Sequence, residues 1–215
     1  QNVTPQSFFD GTENQNRVSG GKLTTYFSIR DNNCGRYLDE LDATAKSLIW
    51  EVNRIHSQGA GTKLFDYAQG QQGVQNSTVP LGSAQTVLPD AGKIQAGNVN
   101  FYFYDKTTGD YVSSDMLDFS GIAPGSPNFD PAVHSLDDVV SAINSTFPTQ
   151  LSASVQDGRL VLTSAAGSNL QFALGTDSTG MMAALGINTF FTGTDASTIA
   201  VNSQLHSNVN YIAAG

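Results

Sequence analysis

Three histidines, one cysteine and two pairs of adjacent acids are the side chains in this 215-residue sequence with the most obvious chemical potential. His56, His134 and His206 fall at a predicted helix end, in a loop and in a tail. A metal centre needs His, Cys or carboxylate ligands at short, regular spacing, and none of the three histidines has such a neighbour. Cys34 is the single cysteine, in an Asn32-Asn33-Cys34-Gly35 turn. It has no partner for an internal disulfide and no local base to activate it as a nucleophile. Asp39-Glu40 and Asp137-Asp138 are the carboxylate pairs. Glycoside hydrolysis needs two carboxylates facing each other across a cleft, whereas neighbours on one helix cannot do this. Helix-surface charge and compensation of the helix dipole account for both pairs. Gly21-Lys22 is followed by Leu23 and Gly92-Lys93 by Ile94, so neither forms a phosphate-binding loop. The expectation is a protein that is not an enzyme, with no catalytic, cofactor-binding or metal residues and no cofactor.

Composition narrows the partners. Charged residues make up 13% of the chain, and the formal net charge is −9. That charge fraction is about half the globular norm. The ten basic residues are scattered. An acidic surface without a basic patch repels phosphate, which argues against nucleic acid and against an anionic membrane surface. No apolar run approaches the length of a membrane-spanning helix. The chain opens on Gln1 without a Met, so the expectation is that either a segment was removed or this is a cut from a longer protein.

Two kinds of local pattern organise the chain. Leu23, Tyr26, Phe27 and Arg30 share one face of a predicted short helix, which the Asn-Asn-Cys-Gly stretch interrupts. A longer helix is expected from about Arg36 to Gln58. Its apolar residues Leu38, Leu41, Ala45, Leu48, Val52 and Ile55 step by 3, 4, 3, 4 and 3, a heptad seam. Such a seam either packs along a partner helix or faces a globular core. Residues 59–98 read as a Gly-rich connector with short strands near Val79–Leu81 and Thr86–Leu88. Beyond Asn98, Val99, Phe101 and Phe103 alternate with Asn100, Tyr102 and Tyr104. This alternation predicts a strand with one face in the core, a simpler reading than a sugar-stacking platform. A return strand is expected over Tyr111–Phe119, then a helix opened by Ser135 with Leu136, Val139, Val140, Ile143 and Phe147 as its buried stripe. Asp157-Gly158 predicts a two-residue hairpin turn between strands at Leu151–Val155 and Leu160–Thr163. A strand at Leu170–Leu174 and a short helix at Met181–Leu185 complete the pattern.

The fold expected is α+β: a helical hairpin-like region with an inserted β-rich domain, itself a small, mostly antiparallel sheet with one packed helix. The helical part comprises 1–70 completed by 190–215, and the insert 71–189 with a module at about 97–174. The predicted structural core is Leu38, Leu41, Leu48, Val52 and Ile55 on the helix, with Phe101, Val139, Ile143, Leu160 and Leu162 in the insert. Leu41, Leu48 and Val52 are expected to pack against the first helix.

Three segments carry a family resemblance. The first holds Gly20-Gly21-Lys22-Leu23, Arg30-Asp31, Tyr37-Leu38-Asp39-Glu40-Leu41-Asp42 and Val52-Asn53-Arg54-Ile55-His56-Ser57-Gln58-Gly59. The second holds Ser135–Asn144, Ala153-Ser154-Val155 and Asp157–Ser164, and the third runs from Ala184 to Asn202. Together they resemble the flagellar hook-associated protein 1 family. The chain departs from it at Asn32-Asn33-Cys34-Gly35, where the family commonly places an apolar pair and a proline. The terminal helical segments of the family have no counterpart in this chain.

The resemblance implies a secreted, extracellular structural subunit of the bacterial flagellum, at the junction between hook and filament. The implied partners are neighbouring copies of itself in a ring or tube, hook protein, a second junction protein and an export chaperone. It also implies that residues 1–70 and 190–215 belong to an inner wall, that a segment around Phe190–Val201 returns beside Leu41, Leu48 and Val52, and that the insert projects outward. Alternatives are a flagellin or filament-cap relative, which share the middle module, and a secreted carbohydrate-binding domain using the aromatics of 101–111.

Overall fold

The computed structural model describes residues 21, 22, 25, 26 and 29–213. The architecture is α+β, with eight short strands in small antiparallel sheets among the described residues. Two compact units emerge. One comprises the described residues up to Lys46 with Asp195–Ser197, and the other Ser47–Thr194 with the described residues from Thr198.

In the first unit a π-helical turn, Ile29–Cys34, runs directly into helix α1 (Gly35–His56). The Asn-Asn-Cys-Gly stretch therefore widens the helix and does not end it, since a π-turn absorbs poor helix formers without breaking the ladder. The expected face of Leu23 and Phe27 lies outside the described residues. The described residues carry one long helix here, and no hairpin of two. Arg36 pairs with Glu40 one turn on, at 3.6 Å, and Asp42 Oδ1 accepts from the Ala196 N–H at 3.0 Å.

The second unit holds the β structure. Strands β1 (Tyr67–Gln69), β4 (Leu151–Gln156) and β5 (Arg159–Ser164) form one sheet in the order β1-β5-β4. Strands β2 (Val99–Asp105), β3 (Tyr111–Met116) and β6 (Leu170–Asp177) form another in the order β3-β2-β6. A minimal third pairs β7 (Phe191–Thr192) with β8 (Ala200–Val201). The β4–β5 turn uses Asp157 and Gly158, both at positive φ (51° and 73°), the conformation a tight two-residue hairpin demands. The β2–β3 turn is organised by Asp105, whose carboxylate accepts from the N–H groups of Thr107 and Thr108.

Helix α2 (Leu136–Thr146) begins with a complete capping box between Ser135 and Asp138. It buries Leu136, Val139, Ala142 and Ile143. Phe147, just past its end, places its ring 5.3 Å from that of Phe101 and 5.2 Å from that of Phe103. Asn144 ties the helix to β4, donating to the Ala153 carbonyl and accepting from its N–H. Two short helices, α3 (Met181–Ala184) and α4 (Ser203–Ser207), follow.

One apolar core serves the second unit. Phe101, Val139, Ile143, Leu160 and Leu162 are fully buried in it, and so are Phe172, Met181 and Met182. Trp50, from α1, belongs to the same core. The C-terminal half of α1 is thus continuous with the β structure.

Several boundaries differ from the sequence reading. β character begins at Phe65, which bridges to Phe172, and at β1, both earlier than residue 71. Residues 79–88 hold no ladder strand. Pro80 makes an isolated bridge to Ser135, and Ala84–Thr86 is a 3-10 turn closed by Val87 at φ 61°. The return strand stops at Met116; beyond it Leu117 still donates its N–H to the Val99 carbonyl, and Leu117 and Phe119 are buried.

Candidate functional site

The side chains singled out for possible chemistry lie on separate elements. His56 is buried at the end of α1. Its Nδ1 lies 2.8 Å from the Asn188 carbonyl oxygen, and its Nε2 accepts from the Ala213 N–H at 3.0 Å. Burial pushes its pKa down, partly offset by the bond to Asn188. His134 is fully buried between Phe119 and Phe129, and its Nδ1 accepts from the Asp130 N–H at 2.9 Å. His206 is exposed in the last turn of α4. The three rings sit on different elements, and no group of three or more His, Cys, Asp or Glu among the described residues is placed to hold a metal ion. Cys34 is exposed in the π-turn.

Two of the four acids, Glu40 and Asp138, are engaged locally. Glu40 faces Arg36. Asp138 closes the capping box of α2, and Asp137 precedes it in the same first turn. The deepest carboxylate is one the sequence analysis passed over. Asp177 is 4% exposed and accepts from the N–H groups of Thr179, Gly180 and Met182 and from the Thr179 hydroxyl. Its lone pairs are consumed in building the turn that starts α3.

Beside that turn lies a cleft of about 530 Å³ lined by Trp50, Glu51, Arg54, Lys93, Asp177 and Thr179 among others. Its charges are already matched. Arg54 pairs with Glu51 at 3.0 Å and Lys93 with Asp90 at 2.9 Å. The Lys93 ammonium also covers Trp50, 4.8 Å from its ring centre. A carboxylate bonded to four donors and an indole covered by a cation offer no open acid–base pair and no stacking face.

Tyr102, Tyr104 and Tyr111 line the outward side of the β3-β2-β6 sheet. Tyr111 stands at 58° to Tyr102 and at 77° to Tyr104. Rings so tilted do not make the flat platform on which successive sugar rings would stack.

The most distinctive surface is on α1, and it reverses an expectation. Leu38, Leu41, Leu48 and Ile55 are not core residues: their exposures are 63, 57, 48 and 67%. Val52 is half-buried. The helix instead buries Ala45, Ile49, Asn53 and His56, with Trp50 beside them. At 100° per residue this stripe lies about a quarter turn from the seam. The physical reason is hydrogen bonding. Asn53 and His56 bond the backbone at Phe191, Asn188 and Ala213, which turns their polar face inward and the leucines outward. Asn53 meets the returning segment at Phe191. Leu38 and Leu41 belong to the first unit, Leu48 and Ile55 to the second. No helix among the described residues is long and apolar enough to cross a membrane.

No protein-family model matches this sequence, and no curated protein matches it either.

Proposed function

We propose that this chain is a structural subunit of the bacterial flagellum, acting through interfaces at the junction of hook and filament. The observation that carries the reading is the exposure of Leu38, Leu41, Leu48 and Ile55 on one helix. Apolar residues at heptad spacing, left in water, suit the docking of another helix. The motif resemblance to flagellar hook-associated proteins supplies the identity of the assembly. In this reading the protein acts outside the cell and needs no cofactor. It contacts copies of itself, hook protein and a second junction protein, and an export chaperone accompanies it before secretion.

Immunogold labelling of the cells that express the chain tests the location. Label concentrated between hook and filament is expected, and label confined to the cytoplasm or spread over the cell wall would overturn the proposal. The surface is tested separately with a Leu48→Glu, Ile55→Glu double variant. Its circular dichroism should match the parent while its incorporation into flagella is lost. Normal incorporation would remove the seam from the interface.

A further inference from the structure

We propose that His56 is a protonation-gated latch that holds the chain segment 208–213 against the end of α1. The inference is independent of the flagellar reading, since it rests on groups within the second unit alone.

The segment lies along residues 56–65 through several contacts. The Lys63 N–H donates to the Asn210 carbonyl at 2.9 Å. The Tyr211 ring stacks on Phe65 with centres 5.2 Å apart, and the Lys63 ammonium lies 5.0 Å from the Tyr211 ring centre. Gly59 and Gly61 give the segment room: a Cβ on Gly59 would lie 2.7 Å from the Ala213 Cβ, and one on Gly61 would strike the Asn210 carbonyl. The last tie is the Ala213 N–H to His56 Nε2.

The two partners of His56 dictate its protonation. The Asn188 carbonyl can only accept, so Nδ1 carries the hydrogen. The Ala213 N–H can only donate, so Nε2 must keep its lone pair. One neutral tautomer satisfies both. A proton added at Nε2 sets donor against donor across 3.0 Å. The bond to Asn188 survives this and the bond to Ala213 does not. Protonation therefore releases the Ala213 end of the segment while leaving the 188 side in place.

Among the described residues no carboxylate bonds to the ring to offset the new charge. On α1 the charged neighbours are Glu51 and Arg54, which pair with each other. Residues 188–191 are Asn, Thr, Phe and Phe. The turn after the helix contributes Lys63, a cation, and the held segment contributes Tyr211, a phenol that stays neutral in acid. Helix α4 contributes His206, itself exposed. The Phe190 ring, 5.5 Å away at a steep angle, is the remaining wall.

Nitrogen-15 NMR on the whole chain tests the latch. Near neutral pH the ring nitrogens of His56 should report the Nδ1–H tautomer. As the ring titrates, protection of the Ala213 amide, corrected for intrinsic exchange, should fall about tenfold, the equivalent of one hydrogen bond. In His56→Gln the side-chain carbonyl can still accept from Ala213 but does not titrate, so protection should become independent of pH. An Nε2–H tautomer would overturn the proposal. Unchanged Ala213 protection through the His56 titration would do the same, as would parental pH dependence in the Gln variant. Should that variant fail to fold, the tautomer and protection measurements on the parent chain decide alone.

Discussion

The side chain of Asn53 grips the backbone of Phe191 twice, donating to its carbonyl at 3.0 Å and accepting from its N–H at 2.8 Å. This amide-to-peptide pair imitates one rung of a β-ladder across 138 residues of sequence. Together with His56 it decides which face of α1 is buried. Asn53→Ala leaves a carbonyl and an N–H without partners, and is expected to cost about 1–3 kcal/mol. Urea denaturation measures this directly. Arg54→Ala, one residue on and exposed, should cost less than about 0.5 kcal/mol. Equal costs would mean that the rung contributes nothing.

The rotation of α1 makes a pair of adjacent residues behave oppositely. Leu48 is 48% exposed and Ile49 is 6% exposed. Ile49→Ala should destabilise the protein by about 2–5 kcal/mol, the range for a buried aliphatic side chain. Leu48→Ala should cost less than about 1 kcal/mol, since much of its surface already meets water. Thermal melts of the two variants side by side distinguish this arrangement from a helix that buries its seam.

Asp177 is a structural carboxylate with four donors converging on it. Asp177→Ala strands three backbone N–H groups in a buried turn and should cost at least about 2 kcal/mol. Asp177→Asn keeps the size, loses one acceptor oxygen and should lie between. If both variants melt like the parent, the turn before α3 is held by its apolar contacts alone.

Acid should act in two phases. Burial lowers the His56 pKa, so at moderately acidic pH the unfolded chain binds a proton that the folded chain refuses. The stability this contributes is fully present above about pH 6.5, the unfolded value, and is lost as pH falls toward the lowered folded value. The carboxylates follow at lower pH. Backbone N–H groups of Thr108 and Thr107 hold the Asp105 carboxyl below its ordinary value, and the N–H and hydroxyl of Ser120 do the same for Asp118. Their contributions disappear only below about pH 4. Urea midpoints between pH 8 and pH 3 should show both steps, and His56→Gln should remove the first.

Elements whose signals are local were readable in the sequence. Asp157-Gly158 announces its hairpin because a tight turn requires positive φ at both positions, and those residues tolerate it. Ser135 with Asp138 announces α2 because a capping box is complete within four residues. The alternation from Val99 to Tyr104 marks which side of β2 enters the core, and Phe101 and Phe103 are indeed buried there. The orientation of α1 was not readable. Its polar residues are turned inward by bonds to backbone groups more than 130 residues away, and a periodicity argument counts only apolar side chains. Residues 79–88 misled for a related reason: apolar residues at Leu81 and Leu88 serve the core from turns, where no alternation is required. Nothing in the sequence marked Asp177, because its four donors come from residues that carry no motif.

The ties at His56, Asn188 and Asn53 also form a mechanical neck. Asn188 donates to the carbonyls of both His56 and Gly59, and His56 reaches Asn188 and Ala213. Everything from β1 to α3 lies in sequence between these ties. Tension applied between α1 and the segment at Ala213 would load these hydrogen bonds together with Trp50 and Tyr211, which pack on the core of the β-rich body. Single-molecule pulling from those two points should therefore show the ties and the body giving way in one event.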